Sequence, residues 1–321
     1  MLPVRLLCIL ISLNVMAIVE LDSVSKAYGK KIAVERLSFR IEPGTMFGLL
    51  GPNGSGKTSS IRMMIGITRP DSGSVSLFGK PFERESLKRI GYLPEERGLY
   101  KKMPVLEQLV FLGQLHGLDA KTAEKRALVW CERMQIMEAI HKKTEELSKG
   151  MQQKIQFIAT LLHEPELSIM DEPFSGLDPV NAALMQETLI DLRKEGKAIL
   201  FSTHRMDQVE KMCDAICVIS GGKQILAGGM REVKSRYPNN RVLIDFEGSD
   251  AFLRHPSVAE ATQHNGHAEI RLKDGDDAQA LLAAAVKVAK IRRFEVSEPT
   301  LEQIFIETVG GEGQSGGLLN A

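Results

Sequence analysis

The chain has no surplus of either charge: lysine plus arginine and aspartate plus glutamate both number 41. A chain built to follow a phosphate backbone carries a basic excess, so no nucleic-acid partner is expected. Cysteine is scarce, found at Cys8, Cys131, Cys213 and Cys217. Cys213 and Cys217 suit one helix face, but no second pair completes a metal-ligand pattern. Buried, reduced thiols in a cytosolic protein are expected. Long apolar runs are missing as well. Leu6 to Ile11 is followed at once by Ser12 and Asn14, and a bilayer span needs roughly 20 apolar residues. Arg5 gives that run a faint likeness to a secretory leader, but no small-x-small cleavage site follows. Met16 is expected as the true start, with residues 1–15 extra. No internal repeat is visible.

What is present is a globular composition, 26% charged and 43% hydrophobic over 321 residues. That length suits two domains, or one large and one small. The chain is organised around Gly51-Pro52-Asn53-Gly54-Ser55-Gly56-Lys57-Thr58, which fits the phosphate-loop pattern G-x-x-x-x-G-K-[ST]. Its glycines let backbone N–H groups converge on one spot, an anion site helped by the dipole of the following helix. Lys57 should reach the β- and γ-phosphates, and the Thr58 hydroxyl should ligate Mg²⁺. Met46 to Leu50 reads as the buried strand before the loop, and Ser59 to Ile65 as the helix after it.

Strands are expected at Ala17–Val24, Ile32–Ile41 and Val75–Phe78, and Leu87 to Tyr92 leads to a break at Pro94 and a loop from Glu95 to Gly98. From Val105 to about His141 the pattern is helical. Ser148 is a good N-cap for a helix through Leu162. Strands at Glu166–Met170, Ala198–Ser202 and Ala215–Ile219 alternate with helices at Pro179–Glu195 and Met206–Cys213. Such alternation implies a parallel sheet covered by helices on both faces. A boundary is expected near Tyr237 to Asn240. Beyond it, strands at Val242–Phe246, His267–Leu272 and Ile291–Val296 and helices at Ala278–Ala289 and Pro299–Val309 make a small α+β unit. The Asn265-Gly266 pair is a hairpin signal. Gly310 to Ala321 reads as a disordered tail.

Further residues narrow the chemistry. Asp171 ends an apolar strand and can hold Mg²⁺ directly or through water. Glu172 follows it, where a carboxylate can orient or deprotonate water for in-line attack on the γ-phosphorus. His204 ends the next strand, where a γ-phosphate contact would sit.

From about Ile18 to about Val233 the sequence resembles the ATP-binding subunits of ABC transporters. The phosphate loop corresponds to Walker A, and Ile169 to Glu172 to Walker B plus the catalytic glutamate. Leu147-Ser148-Lys149-Gly150-Met151 resembles the LSGGQ signature, Ser175 to Asp178 the D-loop, and Ser202-Thr203-His204 the switch histidine. The resemblance implies a P-loop NTPase of α/β class. It would have a mainly parallel sheet, an antiparallel β edge and an inserted helical subdomain at about 95–150, and a small α+β C-terminal domain would follow. The expected domains are 16–238 and 239–309, with a tail at 310–321.

The resemblance also implies roles. ATP would be bound by the loop from Gly51 to Thr58, by Ser59 and by Tyr28 stacking on adenine, with Ser148 and Gly150 reaching in from a second ATP-binding subunit. Thr58, Asp171 and Glu95 would hold Mg²⁺, and Glu172 and His204 would be catalytic. Glu95 stands where the family usually has glutamine, Lys149 replaces a signature glycine, and Met151 replaces the usual glutamine. Gly91 to Tyr100 and Pro299 to Phe305 resemble the sodium-efflux branch of bacterial ABC ATPases, which implies export of Na⁺ or a drug-like cargo. The implied partner is a separate membrane permease, which would hold the chain at the cytoplasmic face of the membrane. An ABC ATPase without transport and a nucleotide-binding regulator without hydrolysis are the alternatives.

Overall fold

Val19–Tyr28 (β1) and Lys31–Ile41 (β2) pair antiparallel, each burying alternate apolar side chains. In β1 the buried series steps from Leu21 to Val24. Ser23, at φ 51°, lies where the register shifts, so the extra residue turns the apolar face back inward. Met46–Leu50 (β3), Leu167–Asp171 (β7) and Ala198–Thr203 (β8) are buried throughout. Parallel strands covered on both faces need no polar alternation.

The structure, a computed structural model, describes residues 16–96, 98–237, 240–273 and 275–310. The expectations for residues 1–15, and for the tail from residue 311, lie outside the described residues. The remaining strands of the first unit are Ser72–Leu77 (β4), Lys80–Pro81 (β5), Ile90–Leu93 (β6), Ala215–Ser220 (β9) and Lys223–Gly229 (β10). The sheet runs β5-β4-β1-β2-β10-β9-β3-β8-β7-β6. Its β3, β6, β7, β8 and β9 pair parallel, and β1, β2, β4 and β5 form the antiparallel edge. Because β3, β8 and β7 are neighbours, the loops after their carboxyl ends meet at one place, where open α/β sheets bind ligands.

The helices of this unit are Lys57–Met64 (α1), Val105–Leu115 (α2), Ala120–Arg133 (α3), Lys149–Leu161 (α4), Pro179–Lys194 (α5) and Met206–Met212 (α6). The helical pattern expected from Val105 to about His141 is two helices and irregular chain. Gly117, at φ 93°, ends the first, and the Asp119 carboxylate caps the second by accepting from Thr122 N at 3.0 Å. Cys131, Cys213 and Cys217 are buried free thiols. Burial pushes Cys131 up to about 11 and Cys217 to about 12, so neither is a ready nucleophile.

The chain divides into two compact units between Gly229 and Met230. The second comprises Met230–Ser235 (α7), Arg241–Gly248 (β11), Val258–His264 (β12), His267–Leu272 (β13), Ala278–Ala285 (α8), Ala289–Ser297 (β14) and Leu301–Gly310 (α9). Its antiparallel sheet runs β12-β13-β11-β14 over a core of Val242, Ile244, Ile270 and Leu281. Asn265 and Gly266, both at positive φ, make the hairpin turn between β12 and β13.

Candidate functional site

Strand β3 delivers the chain into Gly51–Gly56, and α1 leaves it. The loop is close-packed backbone: a Cβ at Gly51 would lie 2.1 Å from the Ile219 carbonyl, and one at Gly56 2.4 Å from the Ala33 carbonyl. Gly51, Gly54 and Gly56 all have positive φ, which admits glycine at little cost. No side chain caps the first turn of α1, so its N–H groups are free for an anion. Lys57 Nζ donates to Gly51 O at 2.7 Å and Pro52 O at 3.1 Å, which folds the ammonium over the loop. Burial lowers the Lys57 pKa, while the carboxylates of Glu172, Asp171 and Glu95 oppose that shift. Ser55 is buried, and its Oγ has no partner. An uncapped helix start, a buried cation and an orphaned hydroxyl around one loop fit a phosphate chain.

The carboxylates come from the end of β7. Asp171, 1% exposed, accepts from Thr58 Oγ1 at 3.0 Å on one oxygen and from the Ser202 hydroxyl on the other. Glu172 sits at φ 49°, a strained conformation for a non-glycine residue. One of its oxygens accepts from Thr203 Oγ1 at 3.0 Å. The other accepts from His204 N at 3.0 Å and lies 2.7 Å from His204 Nδ1. Sequence reasoning singled out His204 but gave no role to Ser202 or Thr203, whose hydroxyls aim the two carboxylates. Paired hydroxyl residues at the carboxyl end of a buried strand were the signal available.

A cleft of about 300 Å³ is lined by Tyr28, Asn53, Lys57, Thr58, Ser59, Glu95, Asp171 and Glu172 among others, with Lys31 and Ala33 as members the sequence did not suggest. Tyr28, 47% exposed, stands at this lining. Ser148 and Gly150 are not among the lining residues. Ser148 caps α4, its Oγ accepting from Met151 N at 3.2 Å. Among the described residues no group of three or more His, Cys, Asp or Glu could hold a metal ion. The Thr58 and Asp171 oxygens instead form a partial, all-oxygen donor set. That suits Mg²⁺, which takes one or two protein ligands and completes its shell with phosphates and water.

Residues 34–175 match the family described as ABC transporter. Residues 228–309 match the C-terminal domain of ATP-binding proteins like DrrA1-3. The chain is 44% identical to the ABC transporter ATP-binding protein YhaQ of Bacillus subtilis, over 90% of this chain and 98% of that one. It is 34% identical to the linearmycin resistance ATP-binding protein LnrL of the same organism, over 90% and 97%. It is 35% identical to the Nod factor export ATP-binding protein I of Paraburkholderia xenovorans, over 93% and 99%. Among solved structures, the ATP-binding subunit of an ABC transporter superposes with a TM-score of 0.64 at 28% identity, covering 68% of this chain and 92% of that one.

Proposed function

This chain belongs to the ATP-binding subunits of ABC transporters, which hydrolyse ATP to power transport, and on that premise we propose that it is the motor of an exporter whose membrane permease is a separate chain. Among the described residues no helix is long and apolar enough to cross a membrane, so the reading places it at the cytoplasmic face, held there by the permease. Export is supported by the name of the Nod factor export relative. Neither that name nor the linearmycin resistance name supports the sodium-efflux resemblance.

In this reading the loop from Gly51 to Thr58 grips the triphosphate, with Lys57 turning from the Gly51 and Pro52 carbonyls to the phosphate oxygens. Ser59 lines the same cleft, and Tyr28 stacks on the adenine. Thr58, Asp171 and Glu95 would hold Mg²⁺, which would supply positive charge against the triphosphate. Glu172 takes the proton of the attacking water, and His204 turns its ring to the γ-phosphate. Ser148 and Gly150 act on the nucleotide of a second subunit, which explains why they stand outside this chain's own cleft. Most of the acceleration comes from positioning and fixed charge.

The observation that carries the reading is the connected set Thr58–Asp171–Ser202 and Thr203–Glu172–His204 at the mouth of an uncapped helix. Glu172→Gln keeps the shape and is expected to lower ATPase turnover by about 10²- to 10³-fold. Nucleotide affinity should be retained, and ATP should trap a dimer visible by light scattering. Lys57→Ala is expected to weaken nucleotide binding by at least tenfold. Steady-state turnover persisting in the glutamine variant would remove Glu172 from its role, and unchanged affinity in the alanine variant would remove the loop from its own.

A further inference from the structure

Strand β6 ends the sheet and pairs with β7 alone. Its outer carbonyls therefore have no strand partner, and α4 with the turn that follows it supplies partners. Three side chains at spacing i, i+4, i+7 approach successive alternate carbonyls. His163 Nε2 lies 3.1 Å from Ile90 O, and Thr160 Oγ1, which donates to Gln156 O at 2.9 Å, lies 3.4 Å from Tyr92 O. Gln156 Nε2 donates to Pro94 O at 3.1 Å and to Glu96 O at 3.3 Å. Gly91 permits the approach, since a Cβ there would fall 2.2 Å from Thr160 O. Gln156 is 5% exposed, and its Oε1 has no partner. An acceptor left unsatisfied in a buried site is costly. An apolar side chain of the same length would avoid that cost, so packing alone does not call for this amide. Its two bonds clasp the carbonyls on either side of Glu95.

The same helix begins at Ser148 and Gly150. Two residues before its middle, Gln153 Nε2 donates to Pro173 O at 2.9 Å, next to Glu172. The helix thus holds backbone beside two of the cleft's carboxylates. Glu95 is itself exposed, and a long exposed side chain is aimed only as well as its backbone is held.

We infer that Gln156 is a positioning residue: it fixes the backbone of Pro94–Glu96 to α4, so that the Glu95 carboxylate keeps its place on the metal side of the cleft and moves as one body with Ser148 and Gly150. The inference rests on the proposed reading of Glu95 as a metal-side carboxylate. Its consequence is measurable as metal dependence. Freed from the clasp, Glu95 meets the cation less often, and more Mg²⁺ is needed to hold the nucleotide.

The test uses the full chain and a fluorescent ATP analogue titrated with Mg²⁺. Gln156→Met matches the side chain in length; it removes the orphaned acceptor but leaves the Pro94 and Glu96 carbonyls without their donor, so the thermal midpoint should fall only slightly. The Mg²⁺ concentration for half-maximal nucleotide binding is expected to rise about three- to tenfold. Glu95→Gln should raise it as well, and the double variant no further than Glu95→Gln alone, because both act through one carboxylate. Gln156→Asn, one methylene too short to reach both carbonyls, is the second variant and should shift the midpoint in the same direction. An unchanged Mg²⁺ midpoint in both position-156 variants, or shifts that multiply in the double variant, would overturn the inference. Lys57→Ala separates the two levels. If it abolishes binding while Glu95→Gln leaves the Mg²⁺ midpoint unmoved, the inference falls and the nucleotide site stands.

Discussion

His163 shows what one residue's surroundings do to its chemistry. Its ring stacks on His116 with centroids 3.9 Å apart, and its Nδ1 is buried without a partner. Burial, then the neighbouring His116, pushes its pKa down to about 4, against about 6.5 for a free histidine. The unfolded chain therefore binds this proton more readily than the folded one between those two values. The stability His163 contributes is complete above about pH 6.5 and is lost as pH falls towards 4, with roughly 2 kcal/mol gone by pH 5. His163→Gln keeps a donor for Ile90 O without a titrating ring. The expected outcome is that the variant's denaturation midpoint falls less between pH 7.5 and pH 5 than the parent's. Equal losses in the two proteins would show that the ring pair is not what acid attacks.

At the scale of elements, two glycines on α4's borders behave oppositely. Gly91→Ala sets a methyl against the Thr160 carbonyl at 2.2 Å and must push α4 off β6, for a loss of about 1–3 kcal/mol read by denaturant midpoint. At Gly150, in the first turn of α4, a Cβ would meet only Leu177 Cδ2 at 3.6 Å. Alanine is a better helix residue by roughly 0.5–1 kcal/mol. Gly150→Ala is therefore expected to leave stability equal or slightly higher while cutting ATPase activity several-fold. A glycine kept where its own chain has room for a methyl points to close approach from outside, which is the second subunit's nucleotide in the proposed reading. Full activity in the alanine variant would remove that reason for the glycine.

The same scale shows what the sequence could announce. Buried parallel strands such as β7 and β8 advertise themselves by unbroken apolar runs, and the phosphate loop by its spacing, because each is set by local chemistry. Strand β12 was not legible, since nearly all its residues are exposed and no apolar alternation exists. Strand β10 was hidden by Gly228 and Gly229 at its end and by only partial burial. The candidate site divides likewise. Lys57, Thr58, Asp171 and Glu172 follow from motif spacing. The hydroxyl of Thr203 under Glu172, and the clasp of Gln156 on the loop carrying Glu95, depend on chain segments more than thirty residues apart meeting in the fold.

At the scale of the whole molecule, β10 joins the two halves of the first unit's sheet. It lies between β2 of the antiparallel edge and β9 of the parallel core. The turn leading into it reaches the phosphate loop, with Gly222 N donating to Ser55 O at 3.0 Å and Glu35 N donating to Gly222 O at 2.8 Å. A chain of residues 16–229 retains every strand of that sheet and the whole cleft. It is expected to unfold in one cooperative transition and to bind ATP within about threefold of the full chain. A chain of residues 16–222 differs by only seven residues, the length of β10. It leaves β2 and β9 each with an unpaired inner edge in the middle of the sheet, the arrangement that drives strands to pair with other chains. That shorter chain is expected to aggregate and to lose nucleotide binding. If it folded and bound ATP as well as the longer one, the sheet would not need β10 to join its halves, and the phosphate loop would be held from β3 and α1 alone.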